Sequence, residues 1–167
     1  MSKAQKFIEK LELQPHPEGG YFKETYRSRG EINSKHLEEN YRGNRNYSTC
    51  IYFLLTSDKF SALHKIEQDE IWHFYHGSPI RLHMITTDGI YSCQMIGPDL
   101  FNEEVPQFVV PGGCWFAGEV VNKDSFSLIG CTVSPGFDFN DFELKSRNEL
   151  TELFPDLKDI ITRLTHH

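Results

Sequence analysis

Between Tyr21 and Ser134, apolar and polar residues mostly alternate with a period of two, and only the two ends of the chain show the three-to-four spacing of a helix. Near the start, Phe7, Ile8 and Leu11 recur behind Ser2-Lys3-Ala4-Gln5, which has the form of a capping box. The pattern predicts a short helix over 3–12, ended by Pro15, Pro17, Gly19 and Gly20. A strand is expected over 21–28. The polar segment 29–46, with its glycines and asparagines, reads as a mobile loop. Residues 47–56, dense in Thr, Ile, Tyr, Phe and Leu, predict a strong strand.

Short strands then follow near 60–66, 69–76, 79–86, 90–96, 107–110, 113–121 and 125–134. Turn signals separate them, among them Gly77-Ser78-Pro79, Gly97-Pro98 and Pro111-Gly112; Asp88-Gly89 has the form of a two-residue hairpin turn. No helical pattern alternates with these strands, so the rhythm predicts an all-β sandwich or barrel rather than a doubly wound α/β sheet. Helix returns at the end. Ser146-Arg147-Asn148-Glu149 is a second capping box, and Leu150, Leu153, Phe154, Leu157, Ile160, Ile161 and Leu164 form an apolar stripe. Pro155 is expected to split it into two short helices that pack on the sandwich. The layout is that of one domain over 1–167, with a core at about 15–145 and a helical tail over 146–165.

Composition sharpens this in few places. The 167 residues carry 13 Phe, 7 Tyr and 2 Trp, which suits sheet. A net charge of −7 leaves no basic surplus for a phosphate backbone, so nucleic acid is not expected as a partner. No apolar run has the length of a membrane span, and residues 1–10 lack the apolar stretch of a signal peptide. Cys50, Cys93, Cys114 and Cys131 stand far apart with no paired spacing; they read as reduced thiols in a cytoplasmic protein. His166-His167 reads either as native or as the remnant of a purification tag.

The candidate chemistry centres on His64-Lys65-Ile66-Glu67-Gln68-Asp69-Glu70. Neighbouring strands at 60–66 and 69–76 would bring His64 and Glu70 to one mouth of the sandwich. Alternation puts His64 with Ile66 on one face, and Glu70 with Trp72 and Phe74 on one face. A His and a carboxylate facing one cavity can act as an acid–base pair or as two metal ligands; the plainer reading is a surface His near solvated acids. Trp72 and Trp115 read equally as pocket walls or as core. Glu24, in the strand 21–28, reads as a pocket carboxylate or as a solvated edge residue. His73 falls by strict alternation on the face opposite Glu70, and only a bulge would bring it in. Arg81 and His83 are expected to face solvent or a subunit. There is no Gly-x-Ser-x-Gly elbow, and Cys114 has no evident base beside it.

His64-x-Ile66-x-x-x-Glu70-x6-Gly77 resembles the first cupin motif, and Pro111-x-Gly113-x-x-Phe116 resembles the second, with Ile66 and Phe116 standing where those motifs place further histidines. Four segments are similar to the small cupin family known as DUF985, or Cupin_5: His16-Pro17-Glu18-Gly19-Gly20-Tyr21-Phe22, Ile51-Tyr52-Phe53-Leu54-Leu55, Asp69-Glu70-Ile71-Trp72-His73-Phe74-Tyr75 and Ser134-Pro135-Gly136-Phe137. The resemblance covers roughly residues 10–145. It implies a cupin jelly roll with short terminal helices, a homodimer, and a pocket for a small polar ligand such as a carbohydrate or nucleotide-sugar. With two ligand positions apolar, no metal and no other cofactor is expected. Within the wider cupin set the resemblance extends to metal-independent epimerases of the dTDP-4-dehydrorhamnose 3,5-epimerase type, where His64 falls at the position of the base and Glu70 replaces a Lys. The function so implied is an epimerase- or isomerase-like enzyme using His64, with Glu70 beside it and Glu24, Trp72, His73 and Trp115 as ligand contacts. The alternative is a non-catalytic ligand-binding module, and a metal-dependent oxygenase stands last.

Overall fold

A computed structural model describes residues 2–166; Met1 and His167 lie outside the described residues. The chain is mostly strand, arranged as two six-stranded sheets packed face to face. The principal strands are β1 (Tyr21–Arg27), β2 (Thr49–Thr56), β3 (Phe60–Lys65), β4 (Asp69–Gly77), β5 (Ile80–Ile85), β6 (Tyr91–Ile96), β7 (Gln107–Val110), β8 (Trp115–Val120) and β9 (Phe126–Ser134). The first sheet runs β1-β2-β9-β4-β7, with Gln14–Pro15 on its outer edge. The second runs β6-β5-β8-β3, flanked by the short strands Glu104–Val105 and Glu143–Leu144. All pairings are antiparallel except that of Glu104–Val105 with β6. This is the all-β sandwich that the strand rhythm implied, in the jelly-roll form that the cupin resemblance implied.

Alternation fills the space between the sheets. Phe53, Leu55, Ile66, Trp72, Leu82, Phe116 and Ile129 point inward and are fully buried there. A second cluster lies behind the second sheet, where Leu63, Ile85, Trp115 and Ala117 meet Leu150, Ile161 and Leu164 of the helical tail. The apolar stripe therefore packs on the sandwich, split by Pro155 into α2 (Arg147–Leu153) and α3 (Lys158–Arg163). The capping box at α2 is complete, with Ser146 and Glu149 bonding reciprocally. At α1 (Lys3–Leu11) only half of it forms: Ser2 accepts from the Gln5 amide, while the Gln5 side chain turns to Glu9. The α1 helix covers part of the first sheet's outer face through Ala4, Phe7 and Leu11.

Three expectations change. The Asp88-Gly89 hairpin is one residue longer, because the Thr86 amide pairs with Ile90 O and leaves three residues in the turn. The segment read as a mobile loop is pinned. Glu31–Ile32 pairs with Arg45–Asn46, and Arg45, fully buried, makes a bidentate salt bridge to buried Asp141. Finally, β3 and β4 are not neighbours in one sheet; the turn between them crosses from the second sheet to the first. His64 and Glu70 thus face each other's layer across the interior rather than lying side by side.

Candidate functional site

The two sheets do not close completely on each other at one end. They enclose a cavity of about 320 Å³ between the inner faces of β1, β2, β4 and β9 and the segment 137–142. Its walls are mainly aromatic and aliphatic: Phe22, Ile51, Phe53, Ile66, Trp72, Val133, Phe137, Phe139 and Phe142. Into this apolar space point four carboxyl groups, Glu18, Glu24, Glu70 and Asp138, together with His16, His64, Arg27 and Cys131. A few polar groups in an apolar concavity is the usual composition of a small-molecule site.

His64 sits at the inner end of β3 with both ring nitrogens engaged. Nδ1 is 2.7 Å from Ala62 O, a group that can only accept, so Nδ1 carries a proton. Nε2 is 2.9 Å from Glu18 Oε2. Burial alone would push His64 down, but the Glu18 carboxylate in contact, with Glu70 and the Ala62 carbonyl, outweighs it and holds the imidazole above its ordinary pKa. Burial would likewise raise Glu18, and here the His64 charge and hydrogen bond, helped by His16 and Ser61, hold it below the usual carboxylate range. The pair is an imidazolium–carboxylate. Phe116 packs on the ring with a centroid separation of 4.1 Å, in the place where a fourth ligand would stand in the metal-binding cupin pattern.

Glu18 is placed by a tight turn ahead of β1. The Ala62 amide donates to Glu18 O, the Glu18 amide donates to His16 Nδ1, and Ser61 Oγ donates to Glu18 Oε1 at 2.8 Å. Gly19 follows at φ +116°, lying so close to β3 that a Cβ would collide with the Phe60 carbonyl oxygen. His16 lies edge-on to Phe22 and is pushed below its ordinary pKa by burial, so it is neutral at pH 7.

Glu70 behaves differently. It is buried on β4, accepts the Trp72 indole N–H at 2.8 Å, and shares the cavity wall with the Cys131 thiol. His64 gives its Nε2 to Glu18 rather than to Glu70. Burial therefore dominates and lifts Glu70 to about 7; the His64 charge opposes the rise and the Glu18 charge reinforces it. Cys131 is driven well above the ordinary thiol value by burial and by Glu70. At the mouth, Arg27 donates through Nε and Nη2 to both oxygens of Glu24, and further to Asn46 and the Phe137 carbonyl.

The structure thus brings together His64, Glu70, Trp72 and Glu24 of the residues singled out in the sequence. Two others are corrected. His73 points to the outer face of the first sheet, where it bonds Thr132 Oγ1 and Gln107 at 3.1 Å each. A bulge does occur in β4, but at Tyr75, beyond His73. Trp115 points behind the second sheet, under the helical tail, because its neighbour Phe116 takes the inward position on β8. His83 is buried rather than solvent-facing: Tyr91 OH and Glu119 Oε2 each lie 2.8 Å from its ring nitrogens. Sequence reasoning missed Glu18, His16, Arg27 and Asp138. The available signal for the first two was His16-Pro17-Glu18-Gly19-Gly20, a His and a Glu fixed around a proline and followed by two glycines with φ above zero.

The donor set does not fit a resident transition metal of the cupin kind. Ile66 and Phe116 offer no lone pair, and both His64 nitrogens are committed. Among the described residues no group of three or more His, Cys, Asp or Glu side chains is arranged to hold a metal ion.

The family model described as Cupin superfamily (DUF985) matches residues 5–145. The uncharacterized protein YML079W of Saccharomyces cerevisiae is 37% identical over 162 residues, covering 91% of this chain and 80% of that protein. A solved hypothetical protein from Leishmania major superposes with a TM-score of 0.90 at 32% identity over 100% of both chains. Protein SO0799 from Shewanella oneidensis does so with a TM-score of 0.88 at 38% identity over 99% of both. With most of the chain inside the family model, and with the jelly roll and the inward-facing His64 and Glu70 in place, the chain belongs to the DUF985 family of the cupin superfamily.

Proposed function

We propose that the cavity is the site of a metal-independent proton-transfer enzyme, an isomerase in the broad sense, in which Glu70 takes a proton from one atom of a small bound molecule and returns it to another. The observation that supports this is a buried carboxyl in the cavity wall, held by an indole N–H but by no cation in contact. Such a group exchanges a proton near neutral pH, which is what general acid–base catalysis needs. The role differs from the one the epimerase resemblance gives His64. A base needs a free lone pair, and His64 has none while Nδ1 binds Ala62 O and Nε2 faces Glu18. His64 serves instead as a fixed positive charge that favours the carboxylate form of Glu70 as it appears. No tyrosine lines the cavity, so the second acid of a two-group epimerase has no counterpart there. One group working on one face suits tautomerisation or one-base isomerisation.

The non-catalytic module keeps a specific observation in its favour: both cationic groups of the cavity are already paired, His64 with Glu18 and Arg27 with Glu24. Solvent deuterium exchange into a panel of small sugars and ring compounds separates the two. Exchange abolished by Glu70→Gln and retained, though slowed, in His64→Gln supports the enzyme; saturable binding with no exchange supports the module. Two further readings belong with this proposal. The part of the first sheet's outer face left bare by α1 presents Cys50, His73, Tyr75, Val109 and Thr132, with no Asp, Glu, Lys or Arg among them. On a chain of net charge −7 that face suits a homodimer contact, and light scattering at micromolar concentration tests it. All four cysteines are free, which suits the reducing cytoplasm; no helix is long and apolar enough to cross a membrane.

A further inference from the structure

The charges lining the cavity pair off unevenly. Glu18 cancels His64, and Glu24 cancels Arg27, whose remaining donors go to Asn46 and the Phe137 carbonyl. Two carboxyl groups have no cation in contact: Asp138, which caps the Asn140 amide on the segment that walls the mouth and lies within reach of the Arg27 charge, and Glu70 in the depth. Lys59 and Lys65 lie over Tyr21 and Trp115, and neither lysine lines the cavity. An entering phosphate or carboxylate would meet surplus negative charge in a low-dielectric space with no uncommitted cation to receive it. An entering cation meets the opposite: the Asp138 carboxylate, a Glu70 carboxyl that ionises near neutral pH, and a wall of aromatic faces that attract positive charge.

Size and shape narrow the class further. A dry apolar cavity of ~150 Å³ accepts a benzene ring, and this one has about 320 Å³. It holds one substituted or fused ring and not a nucleoside diphosphate attached to a sugar. Most polar groups along the walls are already bonded to one another, His64 to Glu18 and Arg27 to Glu24, and Thr49, the one side-chain hydroxyl there, accepts from the Phe137 amide. That composition does not satisfy the many hydroxyls of a free sugar.

We infer that the cavity takes a compact ring-bearing amine or protonatable nitrogen heterocycle, with its nitrogen against Glu70 and its ring among Phe22, Phe53, Trp72 and Phe137, and that it turns away phosphates and carboxylates. The inference rests on the same cavity as the proton-transfer reading and sets its ligand class. It moves the expected partner away from nucleotide-sugars. A protonated ring nitrogen and the Glu70 carboxylate share one proton between them, so binding needs no co-reactant.

Four probes of similar shape test it: benzylamine, benzyl alcohol, benzoate and phenyl phosphate, with binding followed by calorimetry and ligand-observed NMR at pH 7.5. Benzylamine is expected to bind about tenfold or more tighter than benzyl alcohol, with the two anions weakest. In Glu70→Gln benzylamine is expected to fall to the level of benzyl alcohol. In Asp138→Asn, a rim change that keeps the core intact, it is expected to lose a few-fold. Benzoate or phenyl phosphate binding as tightly as benzylamine overturns the inference. So does an unchanged order in both variants, or no saturable binding by any probe at millimolar concentration. The outcome is separable from that of the catalytic reading: the expected order of affinities without deuterium exchange leaves the ligand class standing and removes the enzyme.

Discussion

His64 and His83 are both buried, each with a glutamate on its Nε2 at almost the same distance, 2.9 Å for His64 and 2.8 Å for His83. Their pKa values are shifted in opposite directions. His64 is held above its ordinary pKa and His83 below it. For both, burial is the largest influence and pushes down. What differs is the glutamate and its company. Glu18 is itself buried, and beyond the His64 ring it meets only neutral His16 and the Ser61 hydroxyl. Glu119 is partly exposed and shared with Arg163, and Arg163 and Arg81 push His83 down further. The first pair faces a cavity and leaves a third group, Glu70, without a cation in contact. The second fastens α3 to the back of the second sheet and takes no part in the cavity wall. A His–Glu contact therefore does not define a site; the surrounding charges and the neighbouring empty space do.

Removing Glu18 should break this contrast most severely. Glu18→Gln leaves a buried imidazolium unpaired, and the expected loss is about 3–5 kcal/mol of unfolding free energy, read by urea denaturation. The His64 ring, followed by NMR, should then titrate lower than in the wild-type chain, because burial is opposed only by the Glu70 charge and the Ala62 carbonyl. His64 would come to resemble His83.

The next largest effect belongs to Glu70, and its sign follows from the upward shift. A carboxyl raised from 4.5 to about 7 is stabilising when protonated. That contribution is complete below about pH 4.5, is lost as pH rises towards 7, and becomes the burden of a buried carboxylate above it. Glu70→Gln removes the burden. Relative to the wild-type chain it should gain about 3 kcal/mol between pH 5 and pH 8.5. Parallel stability curves for the two proteins over that range would contradict the assignment.

Glu119→Gln should cost only about 1 kcal/mol, since a neutral His83 keeps its bond to Tyr91 and Gln still accepts or donates at Nε2. A loss as large as that of Glu18→Gln would mean that His83 is charged as well. The smallest effect is the one expected from chelation: overnight EDTA should leave the melting temperature where it was. A drop reversed by a divalent metal would show that the donor set had been misjudged.

Much of this was legible in the chain. Period-two alternation in 69–76 fixed that Glu70 and Trp72 share a face and that His73 does not. The same rule could not choose between Trp115 and Phe116, because either register leaves an aromatic inside; packing of the helical tail against Trp115 decides it. Nor could local pattern bring Glu18 to His64. The two are 46 positions apart and belong to different layers, joined only when the turn before β1 lies against β3. Arg45 was hidden for the same reason: its partner Asp141 lies 96 residues further along. Alternation reports which face a residue takes, while charge pairing is settled by topology.

The central claim is that Glu70 holds a proton near neutral pH inside the cavity. Its most direct test is the side-chain carboxyl carbon resonance of Glu70, assigned by its absence in Glu70→Gln, followed from pH 4 to pH 9 in glutamate-labelled protein. The result expected is a midpoint at about 7, displaced by saturating benzylamine. A midpoint between about 4 and 5, the range of an ordinary glutamate, would contradict it.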